Sequence, residues 1–278
     1  MKEIIKNILK KAGIYYSMQG RYRSFLFYGN VLLTRIKYSK YKGSGFTCNF
    51  CGNKYKIFAP GYASEEDSPA LKKYKVIAGN GESVYCPYCG STCRERLVLQ
   101  MLIEKIDCEN KKILHLSPEK QIFDFLKKRS VVITADIEPG FYKLIDKNII
   151  YADAGNLPFE NEAFDIVIGN HIMEHIPEDT VAMKEIFRVL KPTGKAVVQI
   201  PFSEIIPGTI EEPYISDSKK QSELFGQKDH VRIYSLDDYI NRLSKAGLTV
   251  NYIPPEKLRE WSKYAIQPRE GFFDCVKS

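Results

Sequence analysis

Two cysteine pairs carry the plainest chemistry in this chain. Cys48-Asn-Phe-Cys51 and Cys86-Pro-Tyr-Cys89 are C-x2-C knuckles, each followed directly by a glycine, Gly52 or Gly90. Four thiolates so arranged close a tetrahedral zinc site with no open position, so the metal they imply is structural. The 34 residues between the pairs exceed the spacing of a compact ribbon, and Glu65, Glu66 and Asp67 mark part of that segment as solvated. Of the other three cysteines, Cys93 is close enough to compete as a ligand, while Cys108 and Cys275 sit in apolar surroundings and read as core. The second set is acids at strand ends: Asp136 closes SVVITADI and Asp153 follows NIIYA. The third is the four histidines, His115, His171, His175 and His230, the side chains best suited to proton transfer near neutrality.

These residues need a frame, and the hydrophobic pattern supplies one. From residue 111 onward short apolar strands alternate with amphipathic helices: KKILHL, SPEKQIFDFLKKR, SVVITADI, NIIYADA, FDIVIGN, EDTVAMKEIFRVLK, GKAVVQIP, SLDDYINRLSKAG, LTVNYI and GFFDCVKS. Ser117 reads as the N-cap of the first of these helices, with Pro118 at its first turn. Such alternation gives an α/β fold: a doubly wound, mainly parallel, seven-stranded Rossmann-like sheet covered by helices on both faces. Residues 202–229 break the rhythm and read as an insertion overhanging the carboxyl ends of the strands, where open α/β sheets bind ligands. Ahead of this domain, assigned to 94–278 and opening with a helix from about 93 to 107, stand a zinc-ribbon-like unit at 43–93 and an N-terminal helical arm at 1–42.

The arm is basic and aromatic. It holds ten lysines and arginines against Glu3 alone, more than the whole net charge of +7, so the remainder of the chain is slightly acidic. Ile4, Ile5, Ile8 and Leu9 share one face of a short amphipathic helix, followed by the aromatic, basic run RYRSFLFYGNVLLTRIKYSKYK. One reading packs the arm on the rest of the protein; the other makes it a surface for anionic lipid or nucleic acid. No stretch approaches the roughly 20 apolar residues of a bilayer span, and the N-terminus lacks the pattern of a cleaved leader. The expectation is a cytoplasmic protein, peripheral to a membrane if the arm binds lipid, with reduced cysteines.

The run ADAGNLPFENEAFDIVIGNHIMEHIPEDTVAMKEIFRVLKPTGKAVVQIPF resembles the central part of class I S-adenosylmethionine-dependent methyltransferases of the type-11 kind. The likeness rests on an acid before Leu-Pro-Phe, then Phe-Asp-Ile-Val, Glu-His and the Arg-Val-Leu-Lys-Pro turn, and it extends over about 111–276. The resemblance implies S-adenosylmethionine as methyl donor. His115, Leu116 and Ser117 then form the first strand-to-helix turn, against the donor's carboxylate. Asp136, with Ile137, lies where an acid accepts from both ribose hydroxyls. Asp153 and Ala154 address the adenine, and Asn170 and His171 face the methionine end. One departure is plain: the first turn is His-Leu-Ser-Pro-Glu where the family is glycine-rich.

Methyl transfer is an in-line displacement from a sulfonium, so alignment and a deprotonated acceptor are its main needs. His230 and His171 are the expected catalytic bases, and His175 a helix-start residue. Arg232, Glu211 and Tyr234 are the expected acceptor-binding residues, Arg232 because its fork matches a carboxylate or phosphate. DHVRIY has a second reading as an ordered edge strand, and Arg94 and Arg96 either bind an anion or pair internally. The expected acceptor is a small molecule or cell-surface glycan precursor methylated on oxygen. The alternatives are an RNA methyltransferase gripping phosphates with the zinc unit and basic arm, or a non-enzymatic binding module on a degenerate methyltransferase fold.

Overall fold

The computed structural model describes residues 14–61, 68–79 and 81–278. The helix expected around residues 4–9 and the acids at 65–67 lie outside the described residues. The arm contributes a long helix, α1 (Ile14–Lys37). Two short antiparallel strands follow, β1 (Lys42–Thr47) and β2 (Lys54–Tyr55), with the first cysteine knuckle between them. A one-turn helix, α2 (Pro69–Lys73), precedes the second knuckle.

Helix α3 (Cys93–Glu104) opens at Thr92 with a full capping box: the Thr92 hydroxyl accepts from the Glu95 amide, and the Glu95 carboxylate accepts from the Thr92 amide. The sequence pattern carries it to about 107; it stops at Glu104. There follow β3 (Lys112–Leu116), α4 (Lys120–Leu126), β4 (Val131–Asp136), β5 (Ile150–Tyr151), β6 (Phe164–Ile168), α5 (Asp179–Val189) and β7 (Leu190–Val197). Past an insertion with β8 (Phe202–Ser203), β9 (Ile210–Glu211) and α6 (Ser218–Phe225) come β10 (Arg232–Ser235), α7 (Leu236–Lys245), β11 (Leu248–Ile253) and β12 (Phe272–Lys277).

Seven of these strands form one sheet in the order β11-β12-β7-β6-β3-β4-β5, parallel except for β12, which runs antiparallel to both its neighbours. The period-two alternation of a strand explains how both faces are covered. Val167, Ala196 and Val198 point to one side, where Ala182, Met183 and Ile186 of α5 and Tyr239 and Leu243 of α7 pack. Ile166, Ile168 and Val197 point to the other, onto Leu99 and Leu102 of α3, Ile122 and Leu126 of α4, and Trp261. The doubly wound Rossmann-like sheet expected from the sequence is present.

The insertion differs from the expectation. It is an ordered three-stranded sheet, β8-β10-β9, and β10, from the DHVRIY run, is its central strand and not an edge. Phe202 also bridges to Ile77, which ties the insertion to the cysteine-rich region. Helix α4 differs too: its N-cap is Glu119, not Ser117, because Ser117 is held with φ of +46° in the left-handed region.

Candidate active site and metal-binding clusters

The first strand-to-helix turn shows how a glycine-free sequence makes this corner. Ser117 takes the left-handed conformation itself, and its hydroxyl donates to Asp136 Oδ2 at 2.6 Å. Asp136 Oδ1 accepts from the Glu138 amide at 2.6 Å, so the carboxylate is held from both sides. Burial raises the Asp136 pKa, and the two hydrogen bonds oppose that rise. Asp153 is exposed and orders its own loop by accepting from the Gly155 amide at 2.8 Å.

A cavity of about 450 Å³ opens beyond the carboxyl ends of β3 and β4, and Leu116, Ser117, Asp136, Ile137, Asp153, Ala154 and His171 all line it. These are seven of the nine residues expected to hold the donor. The other two stand behind its wall. His115 is fully buried; its Nε2 accepts from the Glu119 amide, and burial lowers its pKa to about 3. Asn170 donates to Glu119 Oε2 at 2.9 Å. Both therefore meet at Glu119, which sequence reasoning missed and which lines a neighbouring cavity with Arg94, Glu95 and Pro118. Burial pushes the Glu119 carboxyl up to about 7.

The histidines separate by role. His171 lines the cavity with φ of +52°, its Nδ1 lies 3.4 Å from Glu174 Oε1, and burial lowers its pKa to about 4. The contact is an ion-pair distance without hydrogen-bond geometry, and both ring nitrogens and Glu174 Oε2 are buried without a hydrogen-bond partner. His230, expected as a base, is 3% exposed and packs edge-on against the His175 ring at 4.7 Å. It does not line the cavity, so its place is in the wall and not against an acceptor.

The expected acceptor-binding residues are turned inward, which corrects the sequence reading. Arg232 is buried, and its donors are taken by Glu211 Oε2 at 2.9 Å and by the carbonyls of Met173, Ile176 and Pro177. Tyr234 donates to Asp179 Oδ2 at 2.5 Å, and Arg242 joins Asp179 to Glu211. Four of its five N–H donors are taken and the side chain is 1% exposed, so Arg232 is not placed to hold an acceptor anion. The network instead clamps the turn at Met173–His175 that carries Glu174 and His175.

The four knuckle cysteines converge as expected. Cys48 Sγ lies 3.6 Å from Cys89 Sγ, and Cys51 Sγ lies 3.8 Å from Cys86 Sγ. Zn–S bonds of ~2.3 Å set tetrahedral sulfurs ~3.8 Å apart, so the group fits zinc. Each knuckle turns on its glycine: the Gly52 amide donates to the Cys48 carbonyl and the Gly90 amide to the Cys86 carbonyl, with φ of +70° and +74°. A β-carbon on Gly90 would also meet Phe27 and Val31 of α1 at 2.8 Å. Cys93 is outside the cluster; its thiol donates to the Gly79 carbonyl at 3.0 Å. Cys108 and Cys275 are buried core residues. Arg96 is internal, donating to five backbone carbonyls.

Sheet and cavity together define a doubly wound Rossmann-like fold with a cavity at the strand carboxyl ends. Residues 119–198 match the family profile described as a methyltransferase domain. The protein YafE of Escherichia coli (strain K12) is 30% identical over 127 residues, 45% of this chain and 58% of that protein. The 27-O-demethylrifamycin SV methyltransferase of Amycolatopsis mediterranei is 29% identical over 122 residues, 43% of this chain and 41% of that one. The chain thus spans less than two thirds of the length of these curated relatives. Among solved structures, an S-adenosylmethionine-dependent methyltransferase from Mesorhizobium loti aligns with a TM-score of 0.44 at 14% identity, over 66% of this chain and 95% of that one.

Proposed function

We propose that this protein transfers a methyl group from S-adenosylmethionine to an oxygen of a small molecule or cell-surface glycan precursor. The observation that carries the reading is the convergence of seven separately expected residues on one cavity, five of them within the segment 119–198 that matches a methyltransferase domain. In this reading Asp136 accepts from the ribose hydroxyls, pre-aligned by Ser117 and the Glu138 amide. Asp153 and Ala154 border the adenine, and the turn at Leu116 and Ser117 receives the methionine end. His171, which lines the cavity and is neutral at physiological pH, is the proton acceptor for the incoming hydroxyl, with Glu174 beside it to steady the imidazolium it becomes. Zinc in the four-cysteine cluster is structural, since four thiolates leave no coordination position for water.

A second feature supports a partner for the arm. Met18, Tyr22, Phe25, Leu32, Leu33 and Ile36 of α1 are exposed and follow helical spacing, with exposed Arg21, Arg35 and Lys37 beside them. We assign this face to an anionic lipid surface, on which apolar side chains sink and basic ones meet headgroups. Among the described residues no helix is long and apolar enough to cross a membrane.

The donor site is tested by calorimetric titration of S-adenosylmethionine and S-adenosylhomocysteine. Each hydrogen bond to a charged group contributes about 1.5–3 kcal/mol, so Asp136→Ala is expected to weaken binding at least ~10-fold. Absent binding to the wild type, or binding unchanged in Asp136→Ala, overturns the donor assignment.

A further inference from the structure

The turn clamped by Arg232 carries more than a structural load. Glu174 and His175 from that turn, and His230 from the end of the insertion, bring one ligand atom each within 4.8 Å of one another. We propose that Glu174, His175 and His230 form a second metal site, for a divalent first-row transition ion, at the edge of the donor cavity and distinct from the four-cysteine cluster.

Four observations support it. Two imidazoles and a carboxylate are the donor set preferred by ions such as Mn2+, Fe2+, Co2+ and Zn2+. His175 Nδ1 is 3.1 Å from the Asp229 carbonyl, which fixes a proton on Nδ1 and leaves the Nε2 lone pair for a ligand bond. Glu174 is buried with Oε2 unpartnered, an orphan that a cation would satisfy. The supporting frame is rigid: Arg232 grips the carbonyls of Met173, Ile176 and Pro177, and the Val231 amide donates to the Glu174 carbonyl at 2.9 Å. Adjacent ligands on bonds of ~2.1 Å stand ~3–3.5 Å apart, so closure needs a movement of about 1 Å. The half-exposed His175 makes it by side-chain rotation.

Arg94 is the nearby cation, and Glu119 and Glu270 share its field. His175 and Asp229 also line the donor cavity, so an ion held here would lie beside the space where an acceptor oxygen would enter. That last role rests on the methyl-transfer reading; the metal site itself does not.

The test is direct titration of Mn2+ into full-length protein whose cysteine cluster is already filled with zinc, following free Mn2+ by electron paramagnetic resonance without donor or acceptor. Mn2+ is a hard ion and does not displace zinc from thiolates. Saturable uptake of one Mn2+ per chain is expected, weakened at least ~10-fold in both His175→Gln and His230→Gln. No uptake by the wild type, or uptake undiminished in both histidine variants, overturns the site. Failure here leaves donor binding intact, and failure of donor binding leaves this titration unaffected, so the two outcomes are separable.

Discussion

Arg96 makes a stringent test of how the cysteine unit is joined to the sheet. Its guanidinium is fully buried, with Nε donating to the Tyr264 carbonyl at 2.6 Å and Nη1 to the Ser91 carbonyl at 2.6 Å. Nη2 reaches the carbonyls of Ser83, Val84 and Ala265 at 2.8–3.1 Å. The group therefore fastens the second knuckle to the C-terminal turn, and it lies 4.7 Å from the Phe58 ring in the knuckle core. Arg96→Met keeps the apolar stem but leaves five carbonyls without their donor. Hydrogen bonds to a charged group contribute about 1.5–3 kcal/mol each and are not additive, so we expect a loss of ~4 kcal/mol. At roughly 2 °C per kcal/mol for a chain of this size, the melting temperature falls by about 8 °C. Arg96→Lys keeps the charge but not the fork, and should lose about half as much. Urea and thermal unfolding measure both. Because the Ser91 carbonyl also accepts the Cys86 amide, zinc release to a chelator should quicken in parallel. Arg96→Met within ~1 kcal/mol of the wild type, with unchanged zinc release, would refute the staple.

The other predictions concern charge, metal and surface. Burial holds the Glu119 carboxyl at about 7, above its ordinary 4.5, so its contribution is fully present below pH ~4.5 and is lost as pH rises through 7. Glu119→Gln keeps an acceptor for Asn170 and should stabilise the fold at pH 8 by up to ~3 kcal/mol, with little effect at pH 4.5; urea midpoints at both values decide it. Elemental analysis should find zinc in the purified protein, lost in Cys51→Ser or Cys89→Ser and retained in Cys93→Ser. Aspartates at Phe25, Leu33 and Ile36 should abolish sedimentation with anionic liposomes and leave donor affinity unchanged; undiminished sedimentation removes the lipid surface.

What the sequence disclosed and what it hid follow from the range of the interactions. Strand ends and knuckles are local patterns, so Asp136, Asp153 and the four cysteines are legible from spacing. Arg232, Glu211 and Tyr234 were misread because their partners, the carbonyls at 173–177 and Asp179, lie tens of residues away and leave no local mark. Strands β8 and β9 are two residues each, too short for alternation to register, so the insertion's own sheet was invisible. Glu174 did leave a signal. His171, Glu174 and His175 stand at i, i+3 and i+4, the spacing that gathers side chains on one face of a turn.

The glycine-free turn settles into physical sense at Ser117. A left-handed conformation costs a non-glycine residue ~1–2 kcal/mol, and the Ser117 hydroxyl offsets that cost through its bond to the Asp136 carboxylate. A glycine would remove the strain and free the acid together. Ser117→Gly should therefore be close to wild type in stability, within ~1 kcal/mol, yet bind S-adenosylhomocysteine several-fold more weakly because Asp136 is no longer aligned. Ser117→Ala keeps the strain and loses the bond, so it should be less stable than Ser117→Gly by about 1 kcal/mol. Thermal unfolding and calorimetry on the two variants separate the terms. Ser117→Ala as stable as the wild type would mean that the hydroxyl does not hold the turn, and unchanged affinity in both would mean that Asp136 is aligned without it.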